Sequence, residues 1–422
     1  MARIDAVPSA DMPLTAADGT PLKKKLAQAL FRSRLRATGL VLPLLAFVMA
    51  SFVIPILALM WQGVYNDTFA RYTPNLTQEL QKWDGVSQPS EEMFVALVAD
   101  IKIARKDKTI GRIATRVNQE LPGTRSLFTS TARKVKRATP PYAESMVKIN
   151  KKWGQLDVWQ AMKLTSQSLT PGFYATSLDK KYTVDQGFIN QVENRQIYVK
   201  LFWRTLLISG SVMLLCLLLG YPVAYLLATL PLRYSNLLMI MVLLPFWTSL
   251  LVRTTAWIAI LQSQGVVNDV LVWIGITGDE SRFSLIYNMT GTIIAMTHIL
   301  LPFMILPLYS VMKTIPSSYM RAARSLGATP TRAFLKIYMP QTIPGVGAGC
   351  LLVFILAIGY YITPALVGGQ DGQLISNMIA YHMQKSLNWS LAAALGGILL
   401  AGVLFLYWAY DRIIGIDNMK LG

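Results

Sequence analysis

RAARSLGATPTRAFLKIYMP, residues 321–340, is a polar stretch lying between two long apolar runs, and its reading decides how the chain is organised. Pro316 is followed by Ser317 and Ser318, residue types that favour a helix start. Tyr319, Ala322, Ala323 and Leu326 recur at spacings of three and four, which predicts a helix with one face of small and apolar side chains. Gly327 is placed to end it, because glycine enters the left-handed cap conformation without strain. A second short helix carries Phe334, Ile337 and Tyr338 and is expected to end at Pro340. Small residues let another surface approach closely, and Arg321, Arg324, Arg332 and Lys336 can rim the contact. The residues alone leave two readings open. One is a docking element for a partner; the other is an ordinary amphipathic loop at a membrane interface.

Outward from this loop, apolar runs dominate. Hydrophobic residues make up 53% of the 422 and charged residues 15%, against about 25% charged in a soluble domain. Six runs reach the roughly 20 residues that a bilayer core requires. They are 39–61, 206–230, 237–261, 286–312, 346–367 and 391–410, the third interrupted by Arg253. This predicts an all-α membrane protein with six transmembrane helices. The first run is too long for a signal-peptide core and starts nearly forty residues in, so it is read as an uncleaved anchor.

Orientation follows from Lys and Arg in the short flanks. Lys23, Lys24, Lys25, Arg32, Arg34 and Arg36 precede the first run, and Arg233 follows the second. Lys313, Arg321, Arg324, Arg332 and Lys336 lie between the fourth and fifth, and Arg412 and Lys420 follow the sixth. The opposite short loops hold Arg282 and Lys385. The expected organisation is therefore a cytoplasmic tail over 1–38, a first helix over 39–61, an extracytoplasmic segment over 62–200, and a five-helix core over 201–422. Its cytoplasmic loop covers 313–345, and both termini are cytoplasmic. Residues 62–200 carry 21 Lys+Arg against 13 Asp+Glu, but long loops translocate regardless of charge. Ser90 is placed to cap a run with Phe94, Leu97, Val98 and Ile101 on one face. Ile110, Ile113, Val117 and Leu121 continue it until Pro122-Gly123, and Tyr142, Met146, Ile149 and Trp153 form another amphipathic stretch. A small helical domain and a mobile insertion both fit this pattern.

Several function classes fall away. The net charge of +18 invites a nucleic-acid reading, but basic residues also collect on cytoplasmic loops of membrane proteins, so no nucleic-acid partner is expected. Cys216 and Cys350 sit in apolar runs, and His298 and His382 are far apart, so neither a disulfide nor a metal site is expected; the histidines are read as structural or pathway residues. No Gly-Lys dipeptide occurs, hence no phosphate-binding loop for ATP. The runs also lack the paired acids or activated nucleophile of a membrane enzyme.

The spacing of Ala322, Ala323, Gly327, Ile337 and Pro340 is similar to the EAA loop of binding-protein-dependent ABC importer permeases. Arg321 stands where that loop usually has Glu, and Met339 where it has Leu. LLPFWTSLLVRTTAW from Leu243 to Trp257, QGVVN from Gln264 to Asn268, LPFMILP from Leu301 to Pro307 and ITPALVGG from Ile362 to Gly369 resemble the spermidine/putrescine-type branch. The resemblance covers 196–411 and the first run, leaving the 62–200 segment unmatched. It implies the type I importer permease fold and a bacterial inner-membrane location. It also implies alternating access driven by a separate ATPase dimer, which uses the ATP and Mg; no cofactor is bound by this chain. A second permease subunit, a soluble extracytoplasmic solute-binding protein and membrane lipid complete the implied partners. The loop would insert into the ATPase, with the contact at Arg321 altered by the charge reversal.

Ionisable and aromatic groups inside the runs mark a candidate solute path: Trp247, Thr248, Arg253, Thr254, Trp257, Tyr360, Tyr361 and Thr363. Aromatic faces can hold an organic cation, at about 0.5 to 2 kcal/mol each. The plainer reading is that Arg253 snorkels to an interface and the aromatics pack. No Asp or Glu falls inside the six runs, which sits uneasily with a polyamine cargo. The alternative function is a stand-alone channel or secondary transporter, which predicts inverted repeats and ionisable relays.

Overall fold

The computed structural model describes residues 22–183 and 186–414. Residues 1–21 of the expected tail, and Lys420, lie outside them. The chain divides into one compact unit ending at Leu59 and a second beginning at Met60.

The first unit is helical from Leu22, well before the expected start at residue 39. Residues 22–38 contain neither Pro nor Gly and are rich in Leu, Ala, Lys and Arg, all good helix formers, so nothing stops the helix there. The turn Met49–Val53 is widened to a π-helix, and the Ile54 N–H reaches Met49 O. Pro55 explains it, since it has no N–H to close the ordinary bond onto Ser51. Leu40, Leu44, Leu45, Phe47 and Phe52 are all exposed, as a helix facing lipid or a partner requires.

In the second unit, residues 68–177 fold into short helices; Phe173 packs with Tyr198, Leu391 and Leu395, while residues from Phe69 to Met162 supply a core of their own. Phe94, Leu97, Val98, Ile101, Ile113, Val117 and Met146 are buried in it. Trp153 and Trp159 are fully buried, edge-on to Phe128 at 5.3 Å and Phe94 at 4.7 Å. Their indole N–H groups donate to Thr131 Oγ1 and Trp153 O, each at 2.9 Å, so their burial leaves no donor unpaired. Ser90 holds the cap position of Glu91–Lys106 without a side-chain bond there. Glu91 next to it accepts instead from the backbone N–H of Tyr142 and, at 2.9 Å, of Ala143, capping the helix Tyr142–Ile149. One feature departs from an all-α expectation. Lys180–Thr183 and Gly187–Asn190 pair as an antiparallel hairpin, with Lys180 opposite Asn190. Tyr182, Thr183, Phe188 and Ile189 are strand-favouring types.

The transmembrane core is built on Tyr198–Thr229, Met289–Thr314 and Ile343–Gly359, which pack on one another. In a membrane that packing depends on small residues. A side chain at Gly349 would meet Met304 Sδ at 2.6 Å, and one at Gly220 would meet Met304 Cγ at 3.1 Å. Among the described residues five helices are long and apolar enough to span, or six if Pro330–Gln341 and the bent continuation Ile343–Gly359 count together. Two expected runs are broken. The third, placed at 237–261, stops at Thr248 and Ser249, both extended. Pro245 tightens the turn before the break, and the spanning stretch is instead Leu250–Trp273, itself turned between Leu261 and Val266. The fifth, placed at 346–367, breaks at Tyr360, because Pro364 cannot donate to Tyr360 O. Ser376 Oγ donates to that carbonyl instead, at 2.6 Å. The observed spans extend past the six apolar runs and so take in acids that lie outside those runs. Asp269 lies in Leu250–Trp273 and pairs with Arg282 at 2.7 Å, and Asp411 lies in Trp389–Arg412. Cations besides Arg253 fall inside the observed spans. Arg204 lies in Tyr198–Thr229, paired with Asp371 at 3.6 Å.

Buried Asp179 starts the longest core helix. Its carboxylate accepts from the backbone N–H of Ile197, Tyr198 and Val199 at 3.1, 3.0 and 2.9 Å. These are amides that a helix start cannot satisfy internally. Asp179→Ala should therefore destabilise the fold by about 1–3 kcal/mol. Asp179→Asn, which keeps an acceptor, should cost less. Thermal unfolding in detergent reads the difference, and an unchanged melting temperature for the Ala variant would contradict this role.

Candidate functional site

The loop residues form two helical pieces. Ser317–Ser325 starts behind Pro316, which occupies the cap position, so Ser317 and Ser318 lie inside the first turn and do not cap it. Gly327 ends the helix at φ +87°. The N–H groups of Leu326, Gly327 and Ala328 return to the carbonyls of Ala322, Arg324 and Ala323 at 3.0, 3.0 and 3.1 Å. The bond from Ala328 back to Ala323 is the six-residue closure of a left-handed glycine cap. The second piece starts at Pro330, with Thr329 Oγ1 accepting from Arg332 N at 3.3 Å. It does not end at Pro340. A widened turn at Phe334–Tyr338 lets Met339 N–H reach Phe334 O, and the helix runs on to Gln341 before bending by 60° into Ile343–Gly359. The missing donor of Pro344 falls in the first turn of the new helix, where no bond is needed.

This loop is exposed yet held in place. Arg321, Ala322, Arg324, Gly327, Ile337 and Pro340 are exposed and Ala323 is half-buried. Leu326 is 89% exposed, a large apolar side chain at the tip of the turn beside Gly327. Beneath it, Phe334 and Tyr338 each sit edge-on to Tyr225, at 5.3 Å. Tyr221 Oη lies 3.1 Å from Thr342 Oγ1. Tyr221 and Tyr225 belong to Tyr198–Thr229, so this helix and the loop are clamped by four rings. Sequence reasoning did not find the clamp; its signal was the Tyr221/Tyr225 spacing of four near the end of an apolar run.

The candidate path residues divide. Thr254 Oγ1 lies 3.3 Å from Thr363 Oγ1, both fully buried. Trp257 Nε1 donates to His298 Nδ1 at 3.1 Å. Arg253, half-buried, precedes Thr254 and Trp257 on the same helix, and among the described residues its buried Nε has no hydrogen-bond partner. Helices Leu250–Leu261 and Met289–Thr314, together with the segment from Tyr360 to Thr363, thus converge on a polar cluster. His298, read only as structural or pathway, joins it. Trp247 and Thr248 do not. The break after Trp247 separates them; Trp247 is 79% exposed and Thr248 Oγ1 bonds Pro245 O in its own turn. Tyr361 is 40% exposed, and its carbonyl accepts from Asn377 Nδ2 at 2.8 Å. Among the described residues no cluster of His, Cys, Asp and Glu could hold a metal.

Residues 217–414 match the family described as binding-protein-dependent transport system inner membrane component. The chain is similar to the spermidine/putrescine transport system permease protein PotB of Haemophilus influenzae, with 34% identity over 221 residues covering 52% of this chain and 77% of that protein. The PotB of Escherichia coli K12 is 34% identical over 241 residues, covering 54% of this chain and 87% of the relative. The solved structure of a bacterial alginate ABC transporter in complex with an alginate pentasaccharide-bound periplasmic protein aligns at 20% identity and a TM-score of 0.41. That alignment covers 53% of this chain and 80% of that one.

A side chain built at Gly327 meets nothing within 4 Å, so substitution there costs only the left-handed backbone. Gly327→Ala should strain the turn by about 1 kcal/mol and Gly327→Val by more, while Gly327→Asn, which tolerates this conformation, should be nearly neutral. Amide exchange across residues 320–335 should quicken in the order Asn, Ala, Val. Equal exchange in all three would contradict the cap.

Proposed function

The chain belongs to the family of binding-protein-dependent transport system inner membrane components, and we propose that, as a translocation subunit of an ATP-driven importer, it carries a polyamine or related amine and docks its ATPase through residues 313–345. It is a multi-pass inner-membrane transport subunit; ATP is hydrolysed elsewhere in the complex. The observation that carries the docking reading is the exposed glycine-capped turn, with Leu326 at its tip, clamped to the end of a core helix. A rigid element of this kind transmits force, whereas a slack loop would absorb it. In this reading Ala322, Ala323, Gly327, Ile337 and Pro340 shape the contact, and Arg321 meets an acidic or polar group on the ATPase. Two ATPase copies, a second permease subunit and an extracytoplasmic binding protein complete the assembly, with both termini of this chain in the cytoplasm.

The cargo reading rests on the PotB relatives. The path is assigned to the cluster of Arg253, Thr254, Trp257, Tyr360 and Thr363, with His298 added. Among the described residues the Nε of Arg253 has no acceptor, and unsatisfied polar groups inside a membrane point to a path or an interface. An arginine there repels an amine cargo, so acids facing it are expected from the second permease subunit.

In proteoliposomes holding the complete transporter and its binding protein, labelled spermidine or putrescine should enter only with ATP. The complex carrying Gly327→Val should still hydrolyse ATP, with uptake cut by about tenfold or more. Arg253→Ala should lower uptake while assembly and yield stay normal. Uptake by Gly327→Val at the wild-type rate contradicts the docking reading, and normal kinetics for Arg253→Ala remove that residue from the path.

A further inference from the structure

A cavity of about 590 Å³ opens where the 68–177 domain meets one end of the core. Its size is that of a small-molecule site. Glu120 and Arg125 line it from the domain, Lys181 from the hairpin, Arg195 from the turn before Tyr198–Thr229, and Lys385 from the turn between the helices Ile375–Gln384 and Trp389–Ile414. Four cations thus face one carboxylate. Glu120 is already engaged, its Oε2 lying 3.5 Å from Nη1 of Arg116, which is buried against the Phe173 ring at 4.9 Å. Among the described residues none of the four cations has an ion-pair partner. His382, also in the lining, adds no charge. Its ring nitrogens lie 2.9 Å from Tyr198 Oη and 2.9 Å from Ser386 Oγ, and burial pushes its pKa down to about 4, so it is neutral at physiological pH.

Like charges gathered around a concave, partly walled space repel one another and focus a positive potential into it. Among the described residues, Glu120 is the single carboxylate that lines the cavity with them. We propose that this cavity binds a small multivalent anion, a di- or tricarboxylate or a phosphate group, which bridges the 68–177 domain to the end of the core. The same field repels an amine, so this is not a stage on the path of a cationic cargo, and the proposal stands whatever the cargo is. Carboxylate and phosphate oxygens match Arg and Lys donors best. Because the four cations come from four separate segments, the anion holds those segments together and stabilises the folded chain by mass action.

The test uses the full chain in nanodiscs of zwitterionic lipid. Citrate or inorganic phosphate is titrated at constant ionic strength against chloride, and the melting temperature is read. Arg195 and Lys385 are exposed, so the double variant Arg195→Gln/Lys385→Gln should fold normally. The wild type should show a saturable rise of several degrees, with apparent affinity about tenfold weaker in the double variant. A second arm omits free anions and adds phosphatidylglycerol to the nanodisc. A rise there that the double variant abolishes supports the same anion site, with a lipid headgroup as the source. The proposal is overturned if chloride matches citrate and phosphate, if any rise persists undiminished in the double variant, or if wild type and variant melt identically in every condition.

Discussion

No water reaches the centre of a bilayer, so every backbone amide of Tyr198–Thr229 must be bonded within the helix and its ends must be satisfied outside. The helix has 32 residues, about 48 Å. At its start Asp179 takes three amides. At its far end Tyr221 and Tyr225 grip Phe334, Tyr338 and Thr342. Asp179 belongs to the segment after the first span, and the gripped residues to the loop between the fourth and fifth spans. The two therefore lie at opposite ends of one rod. What moves the loop also moves the rod, and the rod packs on Met289–Thr314 and Ile343–Gly359 along its length.

The loop was the most legible part of the chain. Its signals are local: small residues at helical spacing, Gly327 at the left-handed position and Arg321 and Arg324 on the exposed side. Its details were less so. Pro340 reads as a stop, yet the widened turn at Phe334–Tyr338 carries the helix past it. Ser317 and Ser318 read as caps, yet Pro316 takes that position. In each case two neighbouring residues compete for one role, and backbone geometry decides.

The apolar runs gave the number of spans more readily than their breaks. Hydropathy registers that 237–261 and 346–367 are apolar, but it is blind to a proline that removes a bond four residues back. Pro364 opens the helix at Tyr360, and Pro245 precedes the extended pair Thr248 and Ser249. Those breaks matter for the path. They separate Trp247 and Thr248 from the cluster and free the Tyr360 and Tyr361 carbonyls for Ser376 and Asn377. The bond from Trp257 to His298 spans 41 residues and the contact of Thr254 with Thr363 spans 109. No pattern along the chain announces such pairs.

The account depends most on what the Leu326 turn touches. The direct measurement replaces Leu326 with a photo-crosslinking residue in the native membrane, irradiates, and identifies the adduct by mass spectrometry. The account predicts a crosslink to an ATPase carrying a phosphate-binding loop, at a site in its cleft, and at near-stoichiometric yield. Crosslinks only to lipid, or to no protein at all while the chain remains folded, would contradict it.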